Sequence, residues 1–142
     1  MTIAAILAGK GRDVISVTAH QSLGEAAALL AERRIGAVPV MDGPQVIGIF
    51  SERDVIHALS SHGADALDRK VGDVMTAPAI TVGPAEAVIG ALSLMTRRRI
   101  RHLPVVEGGR VVGLVSIGDL VKYRIDRIEA DAEAMRSYIQ SA

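Results

Sequence analysis

The stretch GIFSERDVI, Gly48 to Ile56, returns 65 residues later as GLVSIGDLV, Gly113 to Val121, with its glycine, serine and aspartate in register. Laid without a gap, Val14–His57 over Ala79–Lys122 gives identity at 14 of 44 positions, among them Pro39/Pro104, Gly48/Gly113, Ser51/Ser116 and Asp54/Asp119. Most remaining pairs keep their character, as in Ile49/Leu114, Asp42/Glu107 and Ser16/Thr81. A solenoid needs three or more stacked units to bury a continuous core. Two copies therefore fold as a pseudo-symmetric pair.

Each copy carries the same order of elements. VISV and AITV are short β-branched runs followed by polar or proline punctuation, the pattern of short strands. SLGEAAALLAERRI opens with Ser22 and Glu25 at capping-box spacing and puts Leu23, Ala26, Ala27 and Leu30 on one stripe; its counterpart starts near Pro84 and repeats the stripe with Val88, Ala91, Leu92 and Met95. AVPVMDGPQVIGIF and HLPVVEGGRVVGLV are apolar runs split by Asp-Gly and Glu-Gly-Gly, which predicts hairpins. A second helix follows each Ser-x-x-Asp. The fold class is α/β (α+β), two β-α-β-β-α repeats in one module. The expected division is 2–62 for repeat 1 with an N-terminal helix ended at Gly9, 63–78 for a linker with a helical turn at Val71–Met75 and the start of repeat 2, 79–125 for repeat 2, and 126–142 for a C-terminal helical extension. Along Ile117–Gln140, Leu120, Val121, Ile125, Ile128, Ala132, Met135 and Ile139 fall three or four apart. That stripe either covers the chain's own core or forms a helix contact between two subunits.

Composition narrows the partners. At 142 residues and 49% hydrophobic, the chain has enough apolar mass for a core, and with one phenylalanine, two tyrosines and no tryptophan that core is aliphatic. Sixteen basic residues balance sixteen acidic ones, so no global field draws nucleic acid or an anionic membrane. The scarcity of aromatics argues against a stacking platform for single strands. Cysteine is absent, which excludes disulfide and thiolate chemistry. No signal-peptide pattern and no apolar run near the roughly 20 residues of a membrane span occurs, so the expected location is cytoplasmic.

The chemistry-bearing residues cluster at the repeated motif. In each Gly-x-x-Ser-x-x-Asp a strand ends at serine and a helix begins, so Ser51 and Ser116 are candidate N-caps with Asp54 and Asp119 at the third helical position. A helix start attracts phosphate, and a carboxylate one turn in can accept hydrogen bonds from the vicinal hydroxyls of a ribose. The competing reading is a capping box, in which the aspartate bonds its own helix. Gly48 and Gly113 relieve crowding or leave room for a base or ribose. Arg97, Arg98 and Arg99 close a helix, where cations favour the negative pole and a solvated terminus is expected. Arg101 and His102 lead into the next strand, while the first repeat has Gly36 and Ala37 there. No nucleophile elbow, His-x-x-x-His helix or Walker loop is present, and His57 and His62 lie five apart, a poor metal spacing; catalytic and metal sites are not expected.

The doubled unit with AVPV and HLPV, VIGIFSERD and VVGLVSIGD, and DVMT between them resembles a tandem pair of cystathionine β-synthase (CBS) domains over about residues 2 to 125. The resemblance implies two repeats packed by their sheets, two clefts that bind adenine nucleotides, a flat homodimer, and a stand-alone sensing module with no enzyme or channel attached. AMP is expected first, then NAD(H), then ATP, as a reporter of energy or redox state; S-adenosylmethionine is also among the family's ligands. The alternative is a homodimerisation scaffold whose clefts hold no ligand. Carried over residue by residue, the nucleotide site comprises Ser51, Arg53, Asp54, Thr76, Ile80, Ile100, Arg101, His102, Gly36, Ala37, Ser116 and Asp119. Each cleft is expected to join the helix start of one repeat to the second-strand approach of the other. Arg53, Arg101 and His102 then make the Asp54 cleft the phosphate-binding one, and Ile117, Gly118, Gly36 and Ala37 make the Asp119 cleft roomier and less charged.

Overall fold

The computed structural model describes residues 1–141; position 142, the end of the expected C-terminal extension, lies outside the described residues. The chain runs α1 (Ile3–Lys10), β1 (Val17–Thr18), α2 (Leu23–Arg33), β2 (Ala37–Asp42), β3 (Gln45–Ser51), α3 (Glu52–His62), a 3-10 turn (Gly63–Asp68), α4 (Val71–Val74), α5 (Val88–Arg98), β4 (His102–Glu107), β5 (Arg110–Ser116) and α6 (Ile117–Ser141). The 65-residue offset holds element by element from α2/α5 to the starts of α3/α6. It extends to the caps: α2 and α5 end in left-handed arginines, Arg34 and Arg99, both at φ 54°. The Ser22 hydroxyl accepts from the Glu25 amide and starts α2, as its capping spacing predicts.

Both hairpins form. Ala37 pairs with Ser51 and His102 with Ser116, and each ladder slips at the same place, Val40/Met41 and Val105/Val106. Gly43 and Gly108 take φ near 60° at the turns, where the left-handed region favours glycine. The first-strand expectation holds only in part. VISV contributes a two-residue strand parallel to β2 through Val17↔Val40, and AITV a single bridge, Val82↔Val105, 65 residues on. Pro84, two residues past that bridge, has no N–H with which to lengthen the ladder.

Two aliphatic cores result, with β3 and β5 in contact where the repeats meet. Val17, Leu23, Leu30, Val38, Val40 and Phe50 build the first; Val82, Val88, Met95, Leu103, Val105, Val115 and Leu120 build the second. Helix α1, grouped by sequence order with repeat 1, puts Ile3, Ile6 and Leu7 into the second core, while Val71 of α4 enters the first. The two helices have changed places. Ile3 N–H donates to Glu86 O and Ala4 N–H to Pro84 O, matching Val71 N–H to Gln21 O and Gly72 N–H to Ala19 O. These exchanged helices correspond at an offset of 68, three more than the rest of the repeat. Leu7 and Met75 then fill equivalent places, against Gly113 and Gly48, where an added Cβ would lie 2.6 Å from Leu7 Cδ2 and 2.7 Å from Met75 Sδ.

Helix α6 overruns the module. Leu120 is buried and Tyr123 packs on the second core, but every described residue from Arg124 onward is exposed. From Val121 onward its apolar stripe therefore does not cover the chain's own core. Among the described residues no helix is long and apolar enough to cross a membrane.

Candidate functional site

Two clefts lie where the repeats face each other, and each combines both copies. The first, about 580 Å³, takes Ser51, Glu52, Arg53 and Ile56 from the start of α3, and Arg98, Arg99, Ile100, Arg101 and His102 from the end of α5 and the approach to β4. Thr76, Pro78, Ala79 and Ile80 close it from the linker, and Gly36 and Ile49 complete it. The lining thus joins four isoleucines to four arginines, interleaved along the chain as in Arg99–Ile100–Arg101. The second cleft, about 400 Å³, is lined by Ser116 and Asp119 at the start of α6, by Arg34, Ile35, Gly36 and Ala37 approaching β2, and by Lys10, Asp13, Val14, Ile15, His102 and Leu114. Gly36 and His102 border both. Room for the imidazole comes from Gly36, where a Cβ would meet His102 Cε1 at 3.3 Å.

Both Ser-x-x-Asp motifs are capping boxes. Ser51 N–H donates to Asp54 Oδ2 at 2.8 Å and the Asp54 amide to Ser51 Oγ at 3.4 Å; Ser116 and Asp119 repeat this at 2.8 and 3.1 Å. Glu52 N–H donates to Gly36 O at 3.0 Å and Ile117 N–H to Arg101 O at 2.8 Å, tying each helix start to the second-strand approach of its own repeat. These bonds leave the Arg53 amide as the one donor of the α3 start with no partner among the described residues. A phosphate at this helix start would therefore meet mainly side-chain cations. The Arg53 guanidinium itself donates to Arg99 O at 3.2 Å, across the cleft.

The carboxylates differ in their remaining partner. Asp54 Oδ1 accepts from the Thr76 hydroxyl at 2.9 Å, a neutral bond. Asp119 Oδ2 accepts from Lys10 Nζ at 2.6 Å, and the same ammonium donates to Leu114 O at 2.8 Å. Burial alone would raise the Asp119 carboxyl, but the Lys10 hydrogen bond and charge, with the Ser116 amide, outweigh it and hold it below the usual carboxylate range. His102 is lowered, by burial first and by the Lys10 charge second, against the weaker pull of Asp119 and Glu52. At neutral pH it is therefore an uncharged imidazole.

Of the residues expected from sequence, Ser51, Arg53, Thr76, Ile80, Ile100, Arg101, His102 and Gly36 come together in the first cleft, and Ser116, Asp119, Gly36 and Ala37 in the second. Asp54 is not itself among the lining residues of its cleft but is hydrogen-bonded to two that are, Ser51 and Thr76, so that the Thr76 hydroxyl has to turn away before a ligand reaches its Oδ1. Ile117 and Gly118 do not line theirs, and at about 400 Å³ against 580 Å³ the second cleft is not the roomier one expected; it is the less charged, since Lys10 and Arg34 balance Asp13 and Asp119 where the first cleft sets four arginines against Glu52. Arg98 and Arg99, read as a solvated terminus, line the first. The missed Lys10 left a faint trace, since it lies in an N-terminal segment outside the gap-free repeat. Glu52 left none, because its counterpart Ile117 is apolar. Among the described residues no cluster of His, Cys, Asp or Glu is arranged to hold a metal.

Paired clefts built from two interlocked β-α-β-β-α repeats define a class of pseudo-symmetric domain pairs. The CBS-domain family model matches residues 11–61 and 71–126, and the chain belongs to that family as a pair of such domains. A CBS-domain-containing protein from Agrobacterium tumefaciens is 41% identical and superposes with a TM-score of 0.85 over 87% of this chain and 99% of its own. The CBS domain pair of protein MJ0100, 26% identical with a TM-score of 0.79 over 89% of this chain and 98% of its own, was solved with 5'-methylthioadenosine and S-adenosyl-L-methionine. A CBS domain protein from Pyrobaculum aerophilum, 28% identical with a TM-score of 0.75 over 84% of this chain and 89% of its own, was solved with AMP.

Proposed function

We propose that this chain is a cytoplasmic regulatory module that binds an adenine nucleotide in its first cleft, AMP in preference to NAD(H) and ATP, and reports energy or redox state through that occupancy. One observation carries the reading: the first cleft combines the aliphatic side chains of Ile49, Ile56, Ile80 and Ile100 with the cations Arg53, Arg98, Arg99 and Arg101 in about 580 Å³. That is the polarity of a nucleoside monophosphate, and the volume falls within the roughly 300–1,000 Å³ of small-ligand sites. Relatives solved with AMP and with S-adenosyl-L-methionine share the adenosine moiety and support the class. Binding, not bond making, is the role assigned to these residues, and the working unit in this reading is a homodimer.

Charge-assisted contacts to phosphate contribute roughly 1.5–3 kcal/mol each. Calorimetric titration with AMP, adenosine, NAD+, NADH, ATP and S-adenosyl-L-methionine is the test. Arg101→Ala is expected to weaken AMP about tenfold or more while moving adenosine by less than about threefold. Equal losses for AMP and adenosine, or no binding of any adenosine-containing ligand, overturn the reading. The ligand-free scaffold keeps one specific support, the Lys10 ammonium already seated on Asp119 in the second cleft.

A further inference from the structure

We infer that α6 pairs with α6 of a second copy of this chain as a parallel, in-register, two-stranded coiled coil. The helix continues past Tyr123 for 18 residues, about 27 Å at 1.5 Å per residue, with no part of its own module beside it. Along it, Val121, Ile128 and Met135 recur every seven residues, and Ile125, Ala132 and Ile139 recur every seven between them. These are d and a positions sustained over three heptads, the pattern of a coiled-coil seam. All six are exposed, five of them large apolar side chains between 42% and 66% exposed. In the same frame Leu120 and Tyr123, which hold α6 to its module, occupy c and f. The module therefore sits on the far side of the helix and leaves the seam free.

Charge selects the occupant and its direction. The flanking positions are Arg124 and Asp131 at g, with Lys122, Glu129 and Arg136 at e. In a parallel pair each g residue faces the e residue five further along the partner helix. Arg124 then meets Glu129, Asp131 meets Arg136, and two-fold symmetry makes four opposite-charge pairs from one sequence. A fully overlapped antiparallel pair would instead oppose Glu129 to its own copy, Asp131 to its own copy, and Lys122 to Arg136. Arg124 and Glu129 have no ion-pair partner among the described residues. Asp131 and Arg136 have only exposed intrahelical partners, Arg127 at 4.0 Å and Glu133 at 2.8 Å, which such surfaces exchange at little cost. A seam this narrow, charged on both flanks, suits two strands better than the wider apolar faces of larger bundles.

This inference deepens the homodimer of the proposed function and is independent of its nucleotide. Sedimentation equilibrium of the full chain should give twice the monomer mass, and a monomer would overturn both the dimer and the coiled coil. Arg124→Glu alone and Glu129→Arg alone should each raise the dimer dissociation constant about tenfold, and the double reversal should restore it to within about threefold. The chain has no cysteine, so Ala132→Cys at a should oxidise to a covalent dimer while Ala130→Cys at f should not. A dimer that ignores the charge reversals, or that cross-links equally at both positions, leaves the homodimer standing and overturns the parallel α6 pairing; a trimeric mass overturns the two-stranded form.

Discussion

Lys10 does with one ammonium what Thr76 does with a backbone amide and a hydroxyl. Thr76 donates its N–H to Ile49 O and its Oγ1 to Asp54; Lys10 donates to Leu114 O, the equivalent carbonyl, and to Asp119, the equivalent carboxylate. The substitution has an electrostatic consequence. Asp119 is held below its ordinary 3.8 in the folded chain by that ammonium and the Ser116 amide against the opposing effect of burial. A carboxyl depressed on folding contributes stability that is complete above its unfolded value and is lost as pH falls through the folded one. With the side chains 40% and 27% exposed, solvent screening limits the pair to about 1 kcal/mol or less. Lys10→Met should therefore lower urea-unfolding stability by about that much at pH 7, and the gap to wild type should close once the pH is below the folded value of Asp119. A gap that persists undiminished in acid would mean that Lys10 stabilises by packing. The capping serines and aspartates were legible from their spacing alone, because a capping box is local chemistry. What faces each carboxylate was not, because Lys10 reaches Asp119 across 109 residues.

Among the elements, the exchange of α1 and α4 is the feature that sequence order conceals. The 65-residue repeat from Val14 was legible because its elements contact one another in the same order in both copies. The preceding helix corresponds at an offset of 68 and belongs to the other copy's core, so a gap-free comparison loses it. Its effect appears at the two strand glycines. An alanine at Gly48 would meet Met75 Sδ at 2.7 Å and the Thr76 carbonyl oxygen at 2.9 Å, whereas at Gly113 its three nearest atoms all belong to the side chain of Leu7, the closest at 2.6 Å. A side-chain tip can turn aside; a backbone oxygen that bonds Ile49 N–H at 2.9 Å cannot move without breaking the bridge. Gly48→Ala should accordingly cost about 2–3 kcal/mol of stability and Gly113→Ala about 1 kcal/mol, within the usual range for overpacking. Thermal unfolding of the two variants measures the difference, and equal losses would show that the α4 bridge yields as easily as Leu7. The coiled-coil heptads of α6 were legible as a stripe, but whether the stripe faced inward depended on where α5 and the second core stopped.

For the whole molecule, two repeats of one topology produce unequal clefts, about 580 and 400 Å³, and the inequality is chemical as well as geometric. Both helix starts are capped alike and tied alike to the second-strand approach of their own repeat, yet the first cleft faces Arg53, Arg98, Arg99 and Arg101, while the second has its carboxylate neutralised by Lys10. A ribose that approaches Asp54 has to replace only the bond from the Thr76 hydroxyl, one neutral donor for another. At Asp119 the Lys10 ammonium and the Ser116 amide both sit on Oδ2, so a ribose that takes both carboxylate oxygens has to displace a charge-assisted bond, roughly twice as strong as a neutral one, and one that takes Oδ1 alone meets a carboxylate whose charge is already paired. On the proposed function, wild-type protein should therefore bind one equivalent of adenosine per chain, lost in Asp54→Ala and kept in Asp119→Ala. Lys10→Met removes the competitor and leaves Arg34, Ser116 and the aliphatic Ile15, Ile35 and Leu114 in place. Its expected result is a second equivalent of adenosine, abolished again when Asp119→Ala is added. Calorimetric stoichiometry reads this directly: two equal sites in the wild type, or one site in Lys10→Met under conditions where its fold is intact by circular dichroism, would show that the ammonium does not close the second cleft.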